Sequence, residues 1–67
     1  MLYLSPVDIA IIKGVMDTKI NVSILARKLS YEPSTVHYHI NKIRDLTGYD
    51  IRKVSDAMAL YEEVKNL

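Results

Sequence analysis

Two short apolar stripes, separated by a break of only a few residues, constrain the fold of this chain most strongly. The first stripe has helical spacing and consists of Val22, Leu25, Ala26 and Leu29. The second stripe has the same spacing and consists of Val36, Ile40 and Ile43. Between them, Pro33 pushes the residue before it out of helical geometry. The pattern predicts helices over about 22–30 and 34–46, joined by the tight turn Tyr31-Glu32-Pro33.

Signals at both ends of the chain predict one further helix on each side. Ser5-Pro6-Val7-Asp8 combines a cap residue, a proline at the first helical position and an acid, which predicts a first helix over about Pro6–Asp17. That helix is apolar almost all round, so we expect it to be buried on most sides, and Gly14 indicates a close helix crossing. Asn21 is a suitable cap for the second helix.

The C-terminal third is expected to contain a connection and a last helix. Tyr49–Val54 is predicted to be a polar connection that is extended around Ile51, after Gly48 ends the third helix. Ser55 is a suitable cap for a helix over about Asp56–Asn66. The apolar face of that helix consists of Ala57, Leu60, Tyr61 and Val64 and ends near Leu67. The expected fold class is therefore all-α, with four helices and no clear β-wing.

Length and composition limit the classes of protein to be considered. The 67 residues suffice for one domain, residues 1–67, and its thin core favours a homodimer or a place in a larger assembly. No cysteine is present to form a disulfide or a thiolate zinc site. Apolar runs such as Ile9–Ile12 are too short to span a membrane, and Met1–Pro6 does not resemble a signal peptide. We expect a cytoplasmic protein without a membrane partner.

Charge is distributed unevenly along the chain, although the formal net charge is only +1. Residues 22–53 hold six cations against three acids, whereas residues 54–67 hold one cation against three acids. The six cations are Arg27, Lys28, Lys42, Arg44, Arg52 and Lys53. A basic middle segment is compatible with binding to a polyanion such as DNA. A mixed solvated surface explains the same distribution equally well.

Two short helices joined by a tight turn are typical of a helix-turn-helix unit, here at about 21–47. Ala26 is small where the two helices would cross, and Leu25 and Leu29 face inward before the turn. This register favours a DNA-binding unit over the alternative, an ordinary α-hairpin in a helical bundle. Ser30 occupies the position where such units often have glycine, so the turn forms without the residue most tolerant of positive φ.

The helical period indicates which side of the third helix would meet duplex DNA. The N-terminal half of a recognition helix usually reads the bases. In that half of the third helix, on the side away from Val36, the expected base contacts are Ser34, His37, Tyr38 and Asn41. Asparagine can pair bidentately with adenine. The hydroxyls of Ser23 and Thr35, and the backbone N–H groups at the start of the second helix, suit phosphates. The six cations of residues 22–53 are the remaining candidates for phosphate contacts.

Catalysis, a cofactor and a metal ion are not expected. His37 and His39 point about 200° apart on a helix, whereas a chelating pair needs one face, as at i and i+4. The sequence has no glycine-rich phosphate loop and no recognisable pair of nucleophile and base. We expect a protein that is not an enzyme.

Asn21–Val64 resembles the C-terminal helix-turn-helix domain of PucR- and CdaR-type bacterial transcription regulators. The residues that carry the resemblance are Asn21-Val22-Ser23, Ala26, Leu29, the run from Ser34 to Ile40, Ile43, and Leu46-Thr47-Gly48-Tyr49-Asp50-Ile51. The resemblance implies a sequence-specific DNA-binding domain that usually works as a dimer. The family commonly has arginine where this chain has His39. LysR- and ModE-type DNA-binding domains share a looser version of the pattern.

Two functions from different classes follow. The first is a transcription regulator, or its DNA-binding module, that inserts the third helix into the major groove. The second is a protein-interaction or dimerisation module that has kept the fold without binding DNA. The acidic C-terminal segment and the low net charge motivate the second.

Overall fold

The computed structural model describes residues 4–67, so residues 1–3 of the expected domain lie outside the described part. Four helices follow one another: α1 (Pro6–Asp17), α2 (Val22–Leu29), α3 (Pro33–Thr47) and α4 (Val54–Val64). Residues 4–67 contain no β-strand. The predicted all-α fold of four helices is confirmed. Within this described range, no helix has the length and apolar character needed to cross a membrane.

Helix α1 is the element around which the others are arranged. Ser5 and Asp8 form a capping box, in which each side chain accepts a hydrogen bond from the other residue's backbone N–H. Ile11, Ile12 and Val15 are fully buried. The helix packs against α2, α3 and α4, whereas α2 and α3 also pack against each other. The expectation that α1 is buried on most sides is confirmed.

Gly14 marks the close approach of α1 to α2. A Cβ atom at this position would lie 2.7 Å from Cδ1 of Leu25, which is fully buried in α2. Because non-bonded carbon atoms pack at about 3.5–4.0 Å, only glycine fits without a shift of the leucine. The close crossing that Gly14 indicated is therefore present.

The helix-turn-helix unit comprises α2, its turn and α3. Asn21 caps α2 through a 3.1 Å hydrogen bond from the backbone N–H of Ile24 to Oδ1. Leu25 and Ala26 are buried, and Val22 and Leu29 pack against the core. Helix α2 ends one residue earlier than predicted, since Ser30 takes the left-handed conformation with φ 62°.

Helix α3 is one residue longer at each end than the predicted 34–46. Pro33 is its first residue, as is favourable for a proline, and Gly48 ends it with φ 81°. Val36, Ile40 and Ile43 are all fully buried, so the predicted inner stripe is confirmed.

The segment between α3 and α4 differs from the prediction. It is a turn rather than an extended connection, because the backbone N–H of Lys53 donates to the carbonyl of Asp50 at 2.9 Å. Ile51 is fully buried at this turn.

Helix α4 begins and ends two residues before the predicted 56–66. Lys53 is its N-cap residue and makes no side-chain cap bond, so the prediction that Ser55 caps the helix is wrong. The tight turn at 50–53 brings the chain into helical geometry earlier than an extended connection would. Ala57, Leu60 and Val64 are buried as predicted, whereas Tyr61 is half-buried and Leu67 is exposed.

Candidate nucleic-acid interface

The face of α3 turned away from the core presents polar and aromatic side chains. Ser34, His37 and Tyr38 are exposed, and Tyr38 is 63% exposed. Asn41 is half-buried one turn further along. The four residues expected to read bases therefore lie on the accessible side of the helix, with Asn41 the most enclosed.

Tyr38 is supported from within its own helix. Its ring lies edge-on against the His39 ring, with centroids 5.3 Å apart and planes at 81°. Such an edge-to-face arrangement is favourable because a positive ring edge meets a negative ring face. His39 is in turn held by α1, since its Nδ1 lies 2.8 Å from Oδ1 of Asp8.

A fully buried carboxylate, that of Asp8, connects α1 to α3. Its Oδ2 accepts hydrogen bonds from the backbone N–H of Ser5 at 2.9 Å and pairs with Nζ of Lys42 at 2.8 Å. Burial by itself raises the pKa of Asp8, but hydrogen bonds from Lys42, Ser5 and His39 outweigh it and lower the pKa below its ordinary value. The carboxylate is thus ionised near neutral pH, and Nδ1 of His39 carries the donated proton.

A second ion pair fixes the turn before α4 against α3. The Arg52 guanidinium donates from Nε to Oδ1 of Asp50 at 2.9 Å, and its Nη2 donates to Oδ1 of Asn41 at 2.9 Å. The hydrogen bond and charge of Arg52 hold the pKa of Asp50 below its ordinary value. Asn41, expected to read a base, is therefore bonded to Arg52, expected to bind phosphate.

The cations of residues 22–53 thus fall into two groups. Lys42 and Arg52 are held close to the carboxylates of Asp8 and Asp50. The other four are exposed: Arg27, Lys28, Arg44 and Lys53.

The ion pairs of the exposed cations are loose or absent. Lys28 lies 3.9 Å from Asp17, and Arg44 lies 3.7 Å from Asp45. Arg27 and Lys53 form no ion pair with any residue in the range 4–67. These four side chains are free to turn toward an external anion.

The remaining predicted residues also have definite places. Ser23 is exposed near the start of α2, and Thr35 is half-buried near the start of α3. His37 is exposed, whereas His39 faces Asp8, so the two rings point to different surroundings. Within residues 4–67, no three His, Asp or Glu side chains are grouped to hold a metal ion.

Sequence reasoning did not identify the roles of Asp8 and Asp50. In the sequence, Asp8 is only an acid in the first turn of a helix, and Asp50 is only part of the run after α3. Asp8 carried a usable signal, because an acid among the apolar residues of a buried helix needs partners. The partners His39 and Lys42 lie more than thirty residues away, and only the fold identifies them.

The family model for the PucR C-terminal helix-turn-helix domain matches residues 9–65. The chain belongs to this family. The match begins within α1 and includes the whole of α2, α3 and α4. It therefore extends further toward the N-terminus than the resemblance at 21–64.

Membership in the PucR helix-turn-helix family indicates a module of a DNA-binding regulator. The all-α fold is the one expected for it, and this fold serves regulation rather than catalysis. Neither the curated proteins nor the solved structures gave a match to this PucR-type domain.

Proposed function

We propose that this PucR-type domain binds duplex DNA sequence-specifically, as the DNA-binding module of a bacterial transcription regulator in the cytoplasm. The observation that carries the proposal is the fixed, polar outer face of α3. The helix is held by its buried stripe and by the ion pair to Asp8, while Ser34, His37 and Tyr38 remain exposed. A rigid helix with a polar N-terminal half is suited to reading the major groove.

Base contacts are assigned to Ser34, His37, Tyr38 and Asn41. Serine and asparagine offer both donors and acceptors to base edges, and the Tyr38 ring offers apolar contact to a thymine methyl group. The outer face has only Asp45 as an acid, in the C-terminal half of α3. The duplex is therefore expected to leave the helix before that position.

Phosphate contacts are assigned to the exposed cations Arg27, Lys28, Arg44 and Lys53, with the hydroxyls of Ser23 and Thr35. Lys42 and Arg52 already neutralise carboxylates, so their contribution to net phosphate binding is smaller. Four neutralised phosphates per domain correspond to a slope of about −3.6 in log K against log salt concentration. Binding would then weaken about 150-fold between 50 and 200 mM salt.

A homodimer is the form in which we expect the domain to recognise an operator. Two domains related by a two-fold axis would place their α3 helices about 34 Å apart, in successive major grooves. On α4, Val54 and Met58 are exposed one turn apart and supply apolar surface for such an association. Sedimentation equilibrium with and without a selected duplex measures the number of domains bound.

The decisive experiment is selection of bound duplexes from a random DNA library, followed by titration of the selected duplex at several salt concentrations. The proposal predicts one enriched motif and a negative salt slope. A library that yields no motif, or binding that is insensitive to salt, would contradict it.

The alternative function is a protein-interaction module with the same fold. It is favoured by the exposed apolar pair Val54 and Met58 together with the acidic residues Glu62 and Glu63 of α4. Both functions use Val54 and Met58 for association, so DNA binding by the isolated domain separates them, and the variant Val54→Ser/Met58→Ser tests the association. If it abolishes self-association or partner binding while the isolated domain shows no DNA binding, the alternative is the correct one.

A further inference from the structure

The side chain of Asn41 is held in one orientation by residues outside α3. Nη2 of Arg52 lies 2.9 Å from Oδ1 of Asn41, and the same guanidinium is fixed by two oxygens of Asp50, at 2.9 and 3.3 Å. Oδ1 of Asp50 also accepts the backbone N–H of Arg52 at 3.0 Å. Asp50, Arg52 and Asn41 thus form a chain of hydrogen bonds from the turn to the outer face of α3, which we name the 50–52–41 relay.

The chemistry of the relay settles which end of the Asn41 amide faces Arg52. A guanidinium has only donors, so the atom that faces it must be the carbonyl oxygen Oδ1 and cannot be Nδ2. The two N–H donors of Nδ2 are then left for a partner outside the relay. Because an amide polarised at its oxygen is a stronger donor at its nitrogen, Arg52 also strengthens those donors.

We infer that Asp50 and Arg52 are specificity-determining positioning residues, which present Asn41 to DNA as a hydrogen-bond donor. The inference rests on the proposed function and deepens it. Bidentate pairing of asparagine with adenine needs Oδ1 as an acceptor as well as Nδ2 as a donor. In this domain Arg52 occupies one of the two lone pairs of Oδ1 and leaves both N–H donors of Nδ2 available, so Asn41 favours a base edge made of acceptors. Guanine, which presents N7 and O6, is that edge.

The variant Arg52→Met removes the donor while keeping a side chain of similar length. Oδ1 of Asn41 is then free, and the preference at the contacted base pair is expected to shift from guanine toward adenine by about tenfold, the size of one bidentate contact. Asp50→Asn retains an acceptor for the backbone N–H of Arg52 but loses the ion pair, and is expected to shift the preference in the same direction by less.

Arg44→Met is the matched control, because it removes the same charge from an exposed arginine that forms no hydrogen bond with Asn41 within residues 4–67. Both methionine variants are expected to lower overall affinity, but only Arg52→Met changes the preferred base. Thermal unfolding of each variant establishes that the fold persists. If the two variants have the same base preference as the unmodified domain, the positioning role is wrong.

A measurement without DNA tests the relay itself. In the free domain, the side-chain NH₂ group of Asn41 is expected to be rigid by ¹⁵N relaxation, whereas that of Asn66, an exposed residue after α4, is expected to be mobile. Arg52→Met is expected to make the Asn41 group mobile and Arg44→Met to leave it rigid. An Asn41 group that is equally rigid in Arg52→Met would overturn the inference.

The outcomes separate this inference from the proposed function. If the unmodified domain selects no DNA motif, the proposed function fails and the specificity role fails with it. If a motif is selected but Asn41→Ala weakens binding to all duplexes equally, the proposed function stands and the inference fails, because Asn41 then contacts phosphate. A base preference that changes in Asn41→Ala and Arg52→Met at the same base pair supports the relay.

Discussion

Asp8 in α1 and His39 in α3 meet through a 2.8 Å hydrogen bond between a fully buried carboxylate and a largely buried imidazole. The same carboxylate also holds Lys42, so one acid fixes two successive turns of α3. Polar groups that are buried in this way direct packing, because any other arrangement leaves the carboxylate without partners. Asp8 therefore reinforces the rotation of α3 about its axis that the buried apolar stripe sets.

Asp8→Asn is expected to lower the free energy of unfolding at pH 7 by about 1.5–3 kcal/mol, the range for a hydrogen bond to a charged group. The folded-state pKa of Asp8 lies below its ordinary value of 3.8. Its contribution to stability is therefore complete above that pH and declines as the pH falls through the folded-state pKa. Urea unfolding between pH 2 and 7 measures both effects.

In Asp8→Asn the loss of stability in acid is expected to be smaller than in the unmodified domain. Part of the loss remains, because the pKa of Asp50 is also lowered. Asp45→Asn is the control, since the Asp45 side chain is 75% exposed and pairs only loosely with Arg44. Equal acid profiles for Asp8→Asn and the unmodified domain would show that the buried carboxylate contributes nothing.

Ser30→Gly is expected to stabilise the domain by about 0.5–1 kcal/mol. Ser30 has φ 62°, a left-handed conformation that is unfavourable by roughly 1–2 kcal/mol for residues with a Cβ atom. Glycine removes this strain, but its greater conformational freedom in the unfolded chain offsets part of the gain in stability. Thermal unfolding measures the change, with Ser30→Ala as a control that keeps the Cβ atom. If Ser30→Gly is no more stable than Ser30→Ala, the backbone at this turn is not strained.

Gly14→Ala is expected to destabilise the domain by about 1 kcal/mol, although alanine is intrinsically the better helix former. The new Cβ atom would lie 2.7 Å from Cδ1 of Leu25. In the variant Leu25→Val that atom is absent, so adding Gly14→Ala there is expected to stabilise by about 0.5–1 kcal/mol. In a double-mutant cycle measured by urea unfolding, the effect of Gly14→Ala on the free energy of unfolding is therefore expected to change sign when Leu25→Val is present. Additive effects would show that the two residues do not clash.

Lys28→Gln and Tyr38→Ala are expected to affect DNA binding in different ways. Lys28→Gln removes an exposed cation, so it weakens all duplexes alike and makes the salt slope shallower by about 1. Tyr38→Ala weakens the selected duplex more than a random one, by about 1–3 kcal/mol.

Lys65→Gln is the control for charge, since Lys65 follows α4 and pairs with Glu62 at 2.9 Å. Titrations of both duplexes at two salt concentrations measure these differences. If Lys28→Gln and Lys65→Gln behave alike, the assignment of Lys28 to phosphate is wrong.

The sequence predicted the helices well wherever a local signal set their ends. Pro6 and Pro33 each begin a helix, and Gly48 ends one, because these residues act through their own backbone geometry. The prediction failed at Ser55, whose capping potential is real but unused. The turn at 50–53 is closed by contacts with Asp56 and within the turn, and these set the start of α4.

The all-α fold, the inner stripes and the accessible face of α3 can be predicted from the sequence, because they follow from helical periodicity and the burial of apolar side chains. Which polar residues act together depends on the packed fold. Asp8 with Lys42, and Arg52 with Asn41, are distant in sequence and have no periodic relationship. Their pairing depends on how α1 and the 50–53 turn lie against α3, which is a property of the packed molecule and not of any one segment.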